Sequence, residues 1–559
     1  MMDLPTYSYD QIANQLTDGY WNGLGGHRHT FAVSSGGSVS VNITGLTAAG
    51  QQLAHWALDA WSAVSGIRFN FLTTAAAITF DDNQAGAYSS YRSSGMTTLS
   101  ASVNVSTDWL AAYGTSQNSY SLQTYIHEIG HSLGLGHGGN YNGDATYGVN
   151  NSYTNDSWQA SVMSYFSQND NPTVNASYAF ATTPMAADII AIHNLYGSAN
   201  SHSGDDTYAF QNSVGNAVAL TLFDTGGYDI LDFSSVSKTQ IIDLRPEHYS
   251  DVQGLKGNLG IARDSYIESV KGGSAQDMII GNQIDNRFEG KAGNDIIYGS
   301  GGQDTGLFAA KVSDATLYKF VEGAVVSAAE LGNDQLFDME WLEFSDGSKS
   351  LAPTGADRVI FEYGASYKDL ISAFGINDSA LFSHLANYGI REGRTITFDA
   401  KQYLGSYSDL RATFGNDISL AAKHFIGYGS AEGRTDKAFN VMEYIASYGD
   451  LITALGSNSD AGLLHFQQYG FNEGRGDNFD GLTYIASYGD LIEAFHDDPT
   501  AGAEHFIDYG HSERRQASFD AYSYVHATGN GDLLAAFGSN LEGAVVHYID
   551  YGFHEGRLL

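Results

Sequence analysis

The residues of this sequence best suited to chemistry lie in one short run, His127-Glu128-Ile129-Gly130-His131-Ser132-Leu133-Gly134-Leu135-Gly136-His137. Histidines four apart share one face of a helix, so His127 and His131 can grip one ion. Glu128 sits beside that face. Gly134 lets the chain leave the helix in a conformation costly for other residues, and the turn brings His137 round as a third ligand. Three imidazoles suit zinc and leave its fourth position open for water, as a catalytic site requires. Two histidines in a core helix would be the plainer reading of His127 and His131 alone. With Glu128, Gly134 and His137 also in place, chance would supply the pattern in roughly one chain in 10⁵.

The elements that must position these residues read as α+β. Turn-rich sequence surrounds Gly19-Tyr20-Trp21-Asn22-Gly23. An amphipathic helix is expected over 48–64, with Leu53, Trp56, Ala57, Ala60, Trp61 and Val64 on one face. Residues 67–71 alternate like a half-buried strand, and 77–80 form a second short candidate. A helix over 124–133 carries the metal motif, and another over 185–196 stops at Gly197.

Further on, the sequence is periodic at two scales. Residues 272–304 repeat every nine positions as Gly-Gly-x-Gly-x-Asp-x-apolar-x, the pattern of a calcium-binding parallel β-roll. Glycines permit the tight turns, which aim carbonyls and one carboxylate at an ion, while the apolar residue points inward. Ala275, Asn282, Ile284 and Lys291 replace glycines, and Asn286 stands where Asp is expected. Beyond about residue 354 come five units of roughly 40 residues, marked by His384, His424, His465, His505 and His547. Each histidine is followed by Tyr-Gly, and four units then read Glu-Gly-Arg, the fourth having Glu513-Arg514-Arg515. Each unit reads as a helix pair stacked on its neighbours. Five periodic histidines could hold metal, but a residue repeated at one position of every unit is better explained by packing against the next unit.

The zinc motif matches the metzincin signature His-Glu-x-x-His-x-x-Gly-x-x-His, and Ser161-Val162-Met163-Ser164-Tyr165 resembles the methionine turn of that clan. Within it the chain resembles the serralysins, the RTX-type metalloproteases. Residues 188–197 are similar to their closing helix, and residues 204–210 and 224–229 to their first calcium site. The resemblance implies a multidomain fold: an α+β metzincin-like zinc metalloprotease domain over 1–199, a calcium-binding parallel β-roll over 200–353, and an all-α helical repeat region over 354–559. It implies one catalytic zinc on His127, His131 and His137, with Tyr165 as an additional, displaceable ligand that stabilises the oxyanion, and Met163 as the hydrophobic floor. Glu128 is then the general base that takes a proton from the zinc-bound water and passes it to the leaving amine, a role elementary zinc chemistry also supports. Several structural calcium ions are expected, with Asp206, Asp224, Asp229, Asp277, Asp295 and Asp304 as candidate ligands. Ala87 and Tyr88 are candidates for an edge strand that pairs with extended peptide substrates.

Composition narrows the partners. The 559 residues carry 26 Lys plus Arg against 63 Asp plus Glu, a formal charge of −37. Such a chain repels nucleic acid and anionic lipid and favours hard cations. With no cysteine there is no disulfide framework and no thiolate site. The N-terminus lacks a basic segment followed by an apolar core, so no Sec signal peptide is expected. No apolar run reaches the length of a membrane span. The expectation is a secreted zinc endopeptidase acting on proteins or peptides, exported by a type I route without a cleaved N-terminal signal. Its repeats would bind a cell-surface or polymer partner. The alternative is a surface or adhesive protein carrying a vestigial protease domain.

Overall fold

The computed structural model describes residues 4–212, 215–352, 358–415, 417–436, 439–470 and 473–557. The expected boundary at 353/354 and the terminal Leu558 and Leu559 lie outside the described residues. Two compact units are present: Met1–Lys319 with Gly323–Ala352, and Phe320–Glu322 with Pro353–Leu559.

The first unit begins with helix α1 (Tyr9–Asn14), which continues through a widened turn, Gln15–Gly19, into Tyr20–Gly23. The sequence there reads as turns, and the structure corrects this. Tyr20 and Trp21 are buried, the Trp21 indole N–H donates to the Gly134 carbonyl at 2.9 Å, and Gly136 N–H donates to the Leu16 carbonyl at 2.7 Å. Burial of two large rings against the metal motif outweighs the weak helix propensity of a glycine-flanked segment.

A five-stranded sheet follows, in the order β2-β1-β3-β5-β4. Its strands are β1 (Ser38–Gly45), β2 (Arg68–Phe71), β3 (Ile78–Asp81), β4 (Ala87–Ser94) and β5 (Thr97–Val105). All neighbours are parallel except β4, which runs antiparallel to β5 along one edge. Helix α2 (Ala48–Ser65) is capped by the Thr47 hydroxyl and stops at Gly66, whose φ is +68°. It buries Leu53, Ala57, Trp61 and Val64, joined by Ala54 and Leu58, while Trp56 and Ala60 stay half-buried. Helices α3 (Tyr120–Ser132) and α4 (Ala186–Tyr196) complete the core. Ser119 caps α3 four residues before the expected start.

Residues 269–308 of the same unit wind as a roll. The strands Ser269–Lys271, Met278–Ile280, Arg287–Glu289, Ile296–Tyr298 and Thr305–Phe308 alternate between two parallel sheets. Ser269 pairs with Arg287 and Met278 with Ile296, so one coil takes two nine-residue periods. Ile279, Phe288 and Ile297, the apolar residues of the period, are buried inside.

The second unit holds five repeats, each of three short helices and not the expected pair. The fourth comprises Gly481–Ala486, Gly489–Phe495 and Pro499–His505. Helical spacing across Tyr484, Tyr488 and Leu491 conceals a break, because Tyr488 is extended (φ −140°) and begins the second helix. Each histidine also departs from expectation by bonding within its own repeat. Tyr444 and His465 Nδ1 share a hydrogen bond of 2.9 Å, and the equivalent pair recurs in the other four units. Tyr444 is fully buried, and a Cβ on Gly470 would meet its hydroxyl at 2.0 Å, which accounts for the Tyr-Gly dipeptide. Arg475 pairs with Asp450 and Glu473 and lies over the Tyr448 ring. Arg515 of the Glu-Arg-Arg variant makes the same contacts, since Arg514 adopts the left-handed φ (+58°) of the replaced glycine. Between repeats, Glu443 accepts from the Gly481 N–H at 2.9 Å, as Glu362 does from the Ala400 N–H at 2.7 Å.

Replacing His465 by Ala strands a buried tyrosine hydroxyl, a loss of about 1–3 kcal/mol. All six tryptophans lie before residue 342. His465→Ala should therefore lower the urea midpoint of helix loss by circular dichroism and leave the tryptophan fluorescence transition in place.

Candidate metal centre

Helix α3 places His127 and His131 on one face, and the turn after it returns His137 to the same point. His131 Nε2 lies 3.1 Å from His127 Nε2 and 2.9 Å from His137 Nε2. A tetrahedral zinc with ordinary Zn–N bonds needs nitrogens about 3.3 Å apart. Gly134 makes the return possible twice over: its φ is +105°, and a Cβ there would meet the His29 carbonyl oxygen at 2.1 Å.

The backbone settles which nitrogen of each ring faces inward. His127, His131 and His137 direct Nδ1 at the carbonyls of Val162 (2.9 Å), Leu135 (2.8 Å) and Tyr141 (2.8 Å). A carbonyl only accepts, so each Nδ1 carries the proton and each Nε2 keeps its lone pair. Burial holds His127 down to about 4, His131 to about 3 and His137 well below its ordinary value. The rings are thus neutral, the form that ligates metal. Three neutral, convergent nitrogen donors fit zinc. Glu128, also buried, is pushed up to about 8 by desolvation, and a neighbouring cation would draw it back toward the carboxylate.

Met163, the residue expected as a hydrophobic floor, packs against the helix that carries the motif. Met163 is fully buried. A Cβ on Gly130, one of the unspecified positions of the motif, would stand 2.6 Å from Met163 Sδ and 3.0 Å from Trp61 Cζ2. The Trp61 indole N–H donates to the Ile126 carbonyl of α3 at 2.8 Å. Asp188 of α4, wholly buried, accepts from Ser161 Oγ (2.6 Å), Val162 N–H (2.7 Å) and Met185 N–H (2.8 Å), clamping the methionine turn. Asp156 accepts from Tyr141 and from Ser164 Oγ on the other side. Burial raises both carboxyls to about 6. Asp188 had a sequence signal in the helix resembling the serralysin closing helix, Ser161 and Ser164 in the resemblance to the methionine turn, and Asp156 had none.

The other candidates fall in three places. The Tyr165 ring lies 4.4 Å from that of His137. Ala87 and Tyr88 are on the edge strand β4, beside α3, where Ser89 Oγ and Ser132 Oγ are 3.0 Å apart. Asp206, Asp224 and Asp229 come together with ligand atoms within 4.8 Å, and Asp229 Oδ2 is buried without a hydrogen-bond partner. Asp277 and Asp295 occupy successive coils along one edge of the roll, and Asp304 lies along the other. Asp295 Oδ2 is again buried and unpartnered, and burial pushes Asp295 and Asp304 up to about 7. These unmatched carboxylate oxygens fit a hard cation.

Fold and site together define a three-histidine metallopeptidase domain joined to a parallel roll. The family described as "Peptidase M10 serralysin C terminal" matches residues 187–370. The metallopeptidase AprA of Pseudomonas marginalis is 33% identical over 326 residues, 50% of this chain and 67% of that protein. A serralysin of Photorhabdus luminescens is 34% identical over 42% of this chain and 53% of its own length. Another, from Photorhabdus laumondii, is 38% identical over 31% of this chain and 39% of its own length. The chain therefore spans between about two fifths and two thirds of these relatives. It belongs to the serralysin family of metallopeptidases.

Gly130→Ala gains up to about 1 kcal/mol of helix propensity but drives a methyl into Met163 and Trp61, an overpacking cost of about 1–3 kcal/mol. The expected outcome is a lower melting temperature and weaker zinc retention against a chelator, with the secondary structure kept.

Proposed function

We propose that this chain is a secreted zinc endopeptidase that hydrolyses peptide bonds of proteins. The observation that carries this reading is the convergence of three neutral Nε2 lone pairs, with Glu128, buried, the next residue after His127 on the same helix. Zinc bound by His127, His131 and His137 would lower the pKa of a water toward roughly 7 and polarise the scissile carbonyl. Glu128 takes the proton of the attacking water and returns it to the leaving amine. Tyr165, beside His137, supplies a hydroxyl to the developing oxyanion. Strand β4, with one unpaired edge and Tyr88 exposed, offers main-chain pairing to an extended substrate near Ala87 and Tyr88. That contact reads backbone and not side chains, which suits broad specificity.

Calcium supports the fold in this reading. Asp206, Asp224 and Asp229 would hold one ion, and Asp277, Asp295 and Asp304 would hold others between coils. Outside the cell, where calcium is near millimolar, such sites fill.

Retention of Glu128 and all three histidines weighs against a vestigial protease. Cleavage of casein by the wild type and by Glu128→Ala, with calcium present and zinc measured, tests this. Activity only in the wild type, with about one zinc in both, is expected. Zinc-loaded wild type that leaves casein intact would sink the protease reading.

The repeats serve docking on a cell-surface or polymer partner. What supports this is a tyrosine exposed at the same position of every repeat, Tyr388, Tyr428, Tyr469, Tyr509 and Tyr551, each 51–66% exposed. Changing all five to Ser should spare casein cleavage and release the enzyme from producing cells. Equal partition of variant and wild type between cells and medium would refute the docking role.

A further inference from the structure

The roll has two rows of turns, and the turn at 281–286 is locked unlike those carrying Asp277, Asp295 and Asp304, each of which accepts a backbone N–H from the preceding coil. In the row containing residues 272–277 and 290–295, each Asp accepts a backbone N–H from the preceding coil. Asp277 Oδ1 accepts from Gln240 N–H, and Asp295 Oδ1 from Asp277 N–H, both at 2.8 Å. Asp295 Oδ2 is left over, buried and without a partner. A negative oxygen buried without a donor calls for a cation.

In the other row, the turn at 281–286 carries Asn282 and Asn286, both completely buried. Asn286 Oδ1 accepts from Asn282 N–H at 2.9 Å, as Asp277 Oδ2 accepts from Gly273 N–H at 2.7 Å. The second atom of the side chain, however, works in the opposite sense. Asn286 Nδ2 donates to the Ile267 carbonyl of the preceding coil at 3.0 Å, and Asn282 Nδ2 donates to the same oxygen at 2.9 Å. Asn282 Oδ1 accepts from Ile284 N–H at 3.1 Å. The amide orientations are dictated by these partners, because a carbonyl cannot donate and a backbone N–H cannot accept. One carbonyl with two lone pairs takes two N–H donors, so nothing remains for an ion.

We propose that the amides of Asn282 and Asn286 lock the turn at 281–286 to the preceding coil in place of a calcium ion, so that this junction forms without calcium. The residues at this junction do not fit the cation that the repeat pattern implies. The inference rests on the reading that calcium holds the other junctions. A polar group that donates its own hydrogens does the work of a positive charge, at no dependence on ion concentration. The junction is therefore a calcium-independent nucleus inside a calcium-dependent roll.

The test compares full-length wild type, Asn286→Asp, Asn286→Ala and Asp295→Asn. Bound calcium is counted by equilibrium dialysis and metal analysis, and urea midpoints are followed by tryptophan fluorescence with chelator and with excess calcium. Asn286→Asp should lower the chelator midpoint by about 1 M, from the lost Nδ2 donor bond to Ile267 and a new buried charge facing that carbonyl. In excess calcium it should bind one ion more than the wild type and recover its midpoint. Asn286→Ala should lose stability in chelator but no calcium. Loss of a calcium in Asn286→Ala would make Asn286 a ligand and overturn the proposal, as would chelator midpoints for both variants equal to that of the wild type. If a variant fails to fold in chelator, its calcium count in excess calcium still decides. Asp295→Asn tests the underlying reading separately: an unchanged calcium count there would remove that ion site and leave the Asn286 results to stand or fall alone.

Discussion

Val162 is the joint on which the metal centre turns. Its N–H is held by Asp188, and its carbonyl receives the Nδ1 proton of His127. An imidazole presents a lone pair at Nε2 only while its proton stays on Nδ1, and an acceptor that can never donate keeps it there. Leu135 and Tyr141 do the same for the other two rings. Asp188 belongs to α4, so the orientation of a ligand on α3 depends on a helix about 60 residues further along the chain. Each of its three hydrogen bonds involves a charged acceptor when Asp188 is ionised, the stronger class of such bonds. The closing helix, the methionine turn and the zinc face are in this way one mechanical piece.

What could be read from the residues was whatever residue identity alone encodes. Histidines four apart on a helix, a glycine at the exit and a third histidine announce themselves by type and spacing. The acceptors behind them are backbone carbonyls, which any residue supplies, so Val162, Leu135 and Tyr141 left no mark. Gly130 hid as an unspecified position of the motif, although Met163 and Trp61 leave no room for a side chain there. Strand β1 was legible and overlooked, because Val39, Val41 and Ile43 alternate with Ser and Asn as a half-buried strand does; β5 was harder to read, since it buries Thr98 and Asn104 and exposes Leu99. The N-terminal helix is made by burial of Tyr20 and Trp21, a tertiary effect. In the repeats, an extended Tyr at the start of the second helix left the helical period almost intact and so disguised three helices as two.

The roll joins two solutions to one electrostatic problem. Stacking coils brings carbonyls and carboxylates face to face, and something positive must lie between them. Along one row the carboxylate of Asp295 stays unmatched, while near Ile267 two amides provide the positive ends of their own dipoles. The sequence difference is Asn286 where the repeat has Asp and Asn282 where it has Gly. The consequence is a change of sign in the hydrogen bond, which a nine-residue pattern treats as a mere imperfection.

Each repeat carries the same set of polar contacts inside itself: a tyrosine with its histidine, an arginine with its aspartate and glutamate, a glycine with the ring that presses on it. A second set crosses the seams: Val441 and Ile445 of the third unit share one apolar core with Ala503 and Ile507 of the fourth, and the carboxylate of Glu443 meets the first turn of the next unit at Gly481. A part with identical fittings at both ends can be duplicated or deleted without redesign of what remains. Array length is then a free evolutionary variable, open to change by unequal recombination, while the catalytic half of the chain is inherited unaltered.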